Sequence, residues 1–65
     1  MRLVINGEAR DVEATTLLGA LEALEFAGET VATALNGEFV PKRARAATLL
    51  KDGDRIEILA PRQGG

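Results

Sequence analysis

The sequence predicts an α+β fold in which one helix packs on a mixed sheet of four to five strands. Three observations support this. Two Asn-Gly dipeptides, Asn6-Gly7 and Asn36-Gly37, each join short runs of strand character. A single segment, starting at Leu17, has the apolar spacing of a helix. The closing run Arg55-Ile56-Glu57-Ile58-Leu59 alternates as cleanly as the opening one, and alternation of period two marks a strand with one buried face.

In order along the chain, Met1, Leu3 and Ile5 alternate with Arg2 and Val4. Asn6-Gly7 then predicts a hairpin, because both residues tolerate the positive φ of a type I′ turn. The returning strand, residues 8–12, carries Glu8, Arg10 and Asp11. Charge of that kind suits a sheet edge, where it discourages pairing with other chains.

Either Thr15 or Thr16 can cap the helix that follows. Leu17, Leu21 and Leu24, widened by Leu18, form its apolar stripe, while Glu22 and Glu25 face water. Gly19 inside this helix costs about 1 kcal/mol relative to Ala and suggests close approach to the sheet. Gly28 is expected to end the helix as a left-handed cap.

Residues 31–35 read as a third strand with Val31, Thr33 and Leu35 on one face. After Asn36-Gly37, Phe39-Val40 is a short strand stopped by Pro41, which cannot donate to a ladder. Residues 42–50 read as a loop with one helical turn that buries Leu49 or Leu50. Asp52-Gly53-Asp54 is a turn by composition. If the first and last strands are central neighbours, as their apolar faces suggest, they run parallel. Residues 1–60 then form the domain, and residues 61–65 a flexible tail ending in Gly-Gly.

Composition narrows the chemistry. At 65 residues the chain allows one small domain with a thin core. It has no Cys, His, Ser, Tyr or Trp. The usual nucleophile–imidazole pairs and the usual transition-metal ligands are therefore absent, and a self-contained enzyme is not expected. No metal site and no cofactor bound by the chain itself are expected. Asp52-Gly53-Asp54 lacks the further ligands of a calcium loop, and neither Asn-Gly has the ending of a phosphate loop.

Charge is unevenly placed. Residues 1–41 hold seven acidic and two basic residues, whereas residues 42–65 hold three acidic and six basic. The basic cluster Lys42-Arg43-Ala44-Arg45 has no interleaved aromatics, so a solvated loop or a docking patch for an acidic partner is favoured over nucleic acid. No apolar run is long enough to span a membrane, and Met1 opens directly on a strand pattern. A cytoplasmic protein without a signal peptide is expected. Phe39 and Leu59 do not fit the core pattern, and together they would form an exposed apolar binding surface beside the tail.

That leaves the chain end, Pro61-Arg62-Gln63-Gly64-Gly65. Extended, these residues span up to ~17 Å, enough to enter an active site while the fold stays outside. Gly presents backbone without a Cβ, which suits a narrow cleft. The Gly65 α-carboxylate is ionised at neutral pH and a poor electrophile. Acyl chemistry there needs activation by another enzyme, for example as a mixed anhydride with AMP. Gly64, Gln63 and Arg62 would supply access.

In combination, the Asn6-Gly7 hairpin, the Thr-capped Leu helix, Leu35-Asn36-Gly37-Glu38-Phe39-Val40-Pro41, Asp52-Gly53-Asp54-Arg55-Ile56-Glu57-Ile58 and terminal Gly64-Gly65 resemble the ThiS family. These are ubiquitin-like β-grasp sulfur carriers of thiamin biosynthesis, and the likeness covers essentially the whole chain. The resemblance implies that a ThiF-like adenylyltransferase activates Gly65 with ATP. A cysteine desulfurase route then supplies sulfur for a thiocarboxylate, which a ThiG-like thiazole synthase consumes. Phe39, Leu59, Lys42 and Arg43, singled out above by pattern and charge, are the candidate residues for partner docking. The same fold and Gly-Gly end occur in carriers for molybdopterin synthesis and tRNA thiolation. An alternative of another class is an RNA-binding module of the ribosomal S4 type, whose strand-Asn-Gly…Gly-Asp-Ile pattern matches residues 35–56. The acidic first two-thirds of the chain and the Gly-Gly end stand against it.

Overall fold

The computed structural model describes residues 1–26 and 30–60. Five strands, β1 (Arg2–Ile5), β2 (Glu8–Asp11), β3 (Ala32–Leu35), β4 (Glu38–Val40) and β5 (Arg55–Leu59), form one sheet in the order β2-β1-β5-β3-β4. The central pair β1 and β5 is parallel, as expected if the two strands are neighbours, and the other pairings are antiparallel. Polar β2 lies at an edge, with all four residues exposed.

Both Asn-Gly pairs make two-residue turns. Asn6 and Gly7 have φ of 52° and 84°, and Asn36 and Gly37 of 51° and 86°, the signs a type I′ hairpin demands. The opposing residues are Ile5 with Glu8 and Leu35 with Glu38. This register sends Leu3, Ile5, Ile56 and Ile58 to one face, where α1 (Leu17–Ala23) covers them with Leu17, Ala20 and Leu21. Val12, Val31 and Leu50 close the rim of that core.

Thr16 is the helix N-cap, its Oγ1 accepting the Gly19 N–H at 3.1 Å. Gly19 makes its close approach to this cap and not to the sheet. A Cβ at Gly19 would stand 3.3 Å from Thr16 Oγ1 and 3.5 Å from Ala14 Cβ. Leu18 does not widen the apolar stripe, since it faces outward at 37% exposure and Ala20 occupies the buried position. The helix also ends before the expected Gly28, which lies outside the described residues. Glu25 N–H donates to Glu22 O and Phe26 N–H to Leu21 O, the crossed pair of a Schellman motif. Glu25 occupies its left-handed position at φ 67°.

The segment after Pro41 is a 3₁₀ helix, Lys42–Ala47, and of the two leucines beyond it Leu50 is buried while Leu49 is exposed. Backbone bonds from Leu17 N–H to Thr48 O and from Leu50 N–H to Thr15 O fix this choice, because they lash the segment to the start of α1.

Candidate functional site

The candidate site is the outer face of the sheet, opposite α1, where β5 leads to the chain end. Gly65, Gly64, Gln63 and Arg62 lie outside the described residues, so the site is built from what precedes them.

Phe39 and Leu59 are both on this face, each 70% exposed. The register explains their relation. Phe39 of β4 stands opposite Ala34 of β3, which stands opposite Glu57 of β5, while Ala32 faces Leu59. The two large apolar side chains are therefore separated by small Ala32 and Ala34 across one strand, about 4.8 Å from each neighbour. The patch runs to the end of β5, where Thr30, Val31, Ala32, Leu59 and Ala60 line a shallow depression. Large apolar side chains exposed on one face of a small domain make that face the candidate interaction surface.

The basic residues of the 3₁₀ segment, which packs against α1, differ in exposure. Lys42 and Arg43 are exposed on the 3₁₀ segment just beyond β4. Arg45, counted with them from sequence, is instead 6% exposed. Its Nη2 donates to Val31 O at 2.6 Å and its Nε to Thr33 Oγ1 at 3.0 Å. Thr33 Oγ1 in turn donates to Val40 O at 2.8 Å. Within the 3₁₀ segment the exposed basic residues are thus Lys42 and Arg43, and Arg45 ties the segment to β3 and β4. Nothing in the sequence distinguishes these arginines, because both alternate with alanine.

β5 itself is held with care. At its start, Arg2 N–H donates to Asp52 Oδ1 at 2.7 Å, Gly53 N–H to Arg2 O at 2.7 Å and Val4 N–H to Asp54 O at 2.9 Å. Asn36 Oδ1 accepts the Arg55 N–H at 2.9 Å, and its Nδ2 donates to buried Asp54 at 3.0 Å. The Asp52-Gly53-Asp54 turn is therefore also the clasp that seats β5 beside β1. Sequence reasoning missed these side-chain roles, which no spacing rule encodes.

The described residues thus form a small body whose outer face exposes Phe39 and Leu59. Comparison with known proteins decides its kinship: the ThiS family model matches residues 3–65. The chain belongs to the ThiS family. A crystal structure of the thiamine biosynthesis protein ThiS from Geobacter metallireducens is 38% identical, with a TM-score of 0.83 over the whole of both chains. A solution structure of a Geobacter metallireducens thiamine biosynthesis protein gives 0.81, covering all of this chain and 88% of that one. The fold is thus the ubiquitin-like β-grasp expected from sequence. Among curated proteins, a thiazole synthase from Paramagnetospirillum magneticum is 42% identical over 66 residues. Another from Magnetococcus marinus is 40% identical over 60. This ThiS-family chain spans about a fifth of the length of those relatives: 20% and 18%. No helix among the described residues is long and apolar enough to cross a membrane.

Proposed function

We propose that the chain is a sulfur carrier for thiamin biosynthesis whose reacting group is the Gly65 carboxylate. The observation that carries this reading is the family match, which runs through Gly65, on a body with no side-chain nucleophile pair of its own. The carboxylate attacks the α-phosphorus of ATP on a ThiF-like enzyme, forming an acyl adenylate and releasing pyrophosphate. The terminal sulfur of a persulfide from a cysteine desulfurase route then displaces AMP, and a thiol reductant cleaves the resulting acyl disulfide to leave the thiocarboxylate. The resulting thiocarboxylate is a softer and stronger nucleophile than the carboxylate, and a ThiG-like synthase takes its sulfur for the thiazole. The names of the thiazole synthases with a segment similar to this chain favour thiamin over molybdopterin or tRNA thiolation as the destination.

The outer face serves docking. Phe39 and Leu59 supply apolar contact, Lys42 and Arg43 steer toward an acidic surface, and Gly64, Gln63 and Arg62 reach the partner's active site. The chain binds no cofactor itself; ATP and the sulfur donor belong to its partners.

Deleting Gly65, or adding one residue after it, tests this reading. Thiocarboxylate formation with the activating enzyme, ATP and a sulfur source should be lost, while thermal unfolding stays nearly unchanged. Retained sulfur transfer in the deletion variant contradicts the proposal.

A further inference from the structure

Asn6 does more than turn the first hairpin. Two residue pairs join β1 to β5, Val4 with Arg55 and Ile5 with Ile56, and the last backbone bond runs from Asn6 N–H to Ile56 O at 2.9 Å. Beyond Asn6 the chain turns away into β2, so the β1 side of Ile58 loses its backbone neighbour. The Asn6 side chain takes that place. Its Oδ1 accepts the Ile58 N–H at 2.8 Å and its Nδ2 donates to Ile58 O at 3.1 Å. A primary amide presents the same donor–acceptor pair as a peptide group, so Asn6 extends the parallel ladder by one residue without any strand there. On the other side, Thr33 and Ala32 stand opposite Ile58 and Leu59. The clamp therefore closes on the last stretch of β5, next to the exposed Leu59 and just ahead of the chain end.

We propose that Asn6 is a positioning residue: its side-chain amide fixes the end of β5, and so the direction in which the residues carrying Gly65 leave the sheet relative to the Leu59 and Phe39 surface. The role rests on the sulfur-carrier reading. A carrier docked by its outer face must deliver its carboxylate to a fixed point in the partner, and any residue of β5 that frays must be reordered to get there. Asn is suited to the task because it tolerates the φ of 52° at the turn and carries both a donor and an acceptor.

Two variants of the full chain test this, Asn6→Gly and Asn6→Asp. Both keep a residue that accepts the turn geometry. The first removes the amide, and the second places an oxygen against Ile58 O where a donor stood. In Asn6→Gly the Ile58 amide should exchange with solvent at least about tenfold faster, whereas Asn6→Asp keeps an acceptor for that N–H and loses only the bond to Ile58 O; in both, Val4 N–H, bonded to Asp54 O, keeps its protection. With the activating enzyme, kcat for adenylation should fall roughly tenfold at an unchanged KM for the carrier, because docking is retained and alignment is lost. Unchanged Ile58 protection in Asn6→Gly overturns the clamp, and faster exchange with unaltered kcat overturns its positioning role. If wild-type chain is never adenylated, the sulfur-carrier reading fails and the positioning role fails with it. The exchange result then still decides whether the clamp exists.

Discussion

Asp54 shows how much one residue organises. It is buried, accepts Asn36 Nδ2 at 3.0 Å and the Lys51 N–H at 2.8 Å, and lies 3.4 Å from Lys51 Nζ. The Asn36 hydrogen bond first, then the Lys51 N–H and ammonium, hold its pKa below the ordinary aspartate value against the opposing effect of burial. A depressed carboxyl pKa means that the folded state binds its proton less readily than the unfolded chain. Its stabilisation is complete above the unfolded value of about 3.9 and is lost as pH falls through the lower folded value. Urea unfolding should therefore show stability declining below about pH 4, with a shallower decline in Asp54→Asn. An identical acid slope in that variant would assign the decline to other groups. Arg45 makes a second prediction at this scale. Arg45→Ala leaves Val31 O and Thr33 Oγ1 without their buried donor and should cost about 1–3 kcal/mol in urea unfolding. The exposed change Lys42→Ala should stay within about 0.5 kcal/mol.

Among the elements, α1 ends under strain. Glu25 sits at φ 67°, where a side chain costs about 1–2 kcal/mol relative to the right-handed region. Glycine avoids that cost but loses more entropy on folding, so Glu25→Gly should stabilise by a net of about 0.5–1 kcal/mol, read as a raised unfolding midpoint. A destabilised variant would show that the Glu25 side chain makes a contact worth more than the strain. This residue also marks where sequence reading reaches its limit. The strands, both hairpins, the Thr cap and the Asp52-Gly53-Asp54 turn were legible, because alternation and Asn-Gly chemistry act locally. The helix stop was not, because hydrogen bonds from Glu25 and Phe26 imposed it on a residue with no left-handed preference. The burial of Arg45 and the choice of Leu50 over Leu49 were equally hidden, since contacts with β3 and with the start of α1 determine them. At the candidate site, Phe39 and Leu59 could be recognised by failing the core pattern. The amide clamp of Asn6 on Ile58 joins residues at opposite ends of the chain, and only the fold reveals it.

For the whole molecule, the sheet has two faces with separate duties. The inner face buries Leu3, Ile5, Ile56 and Ile58 under α1 and holds the fold together. The outer face leaves Phe39 and Leu59 in water with Ala32 and Ala34 between them, an arrangement that contributes little to stability. Phe39→Ala and Leu59→Ala should each leave unfolding within about 0.5 kcal/mol of wild type. If these are the anchors, each should weaken binding to the activating enzyme by roughly 2 kcal/mol, about a 30-fold rise in Kd by titration. Unchanged affinity in both would move the docking surface elsewhere. The central claim concerns the far end of the chain, and intact-mass measurement addresses it most directly. Incubated with a ThiF-like enzyme, ATP and a sulfur source, the full chain should gain the mass difference between one sulfur and one oxygen, localised to Gly65. A mass that never shifts under those conditions would contradict the account.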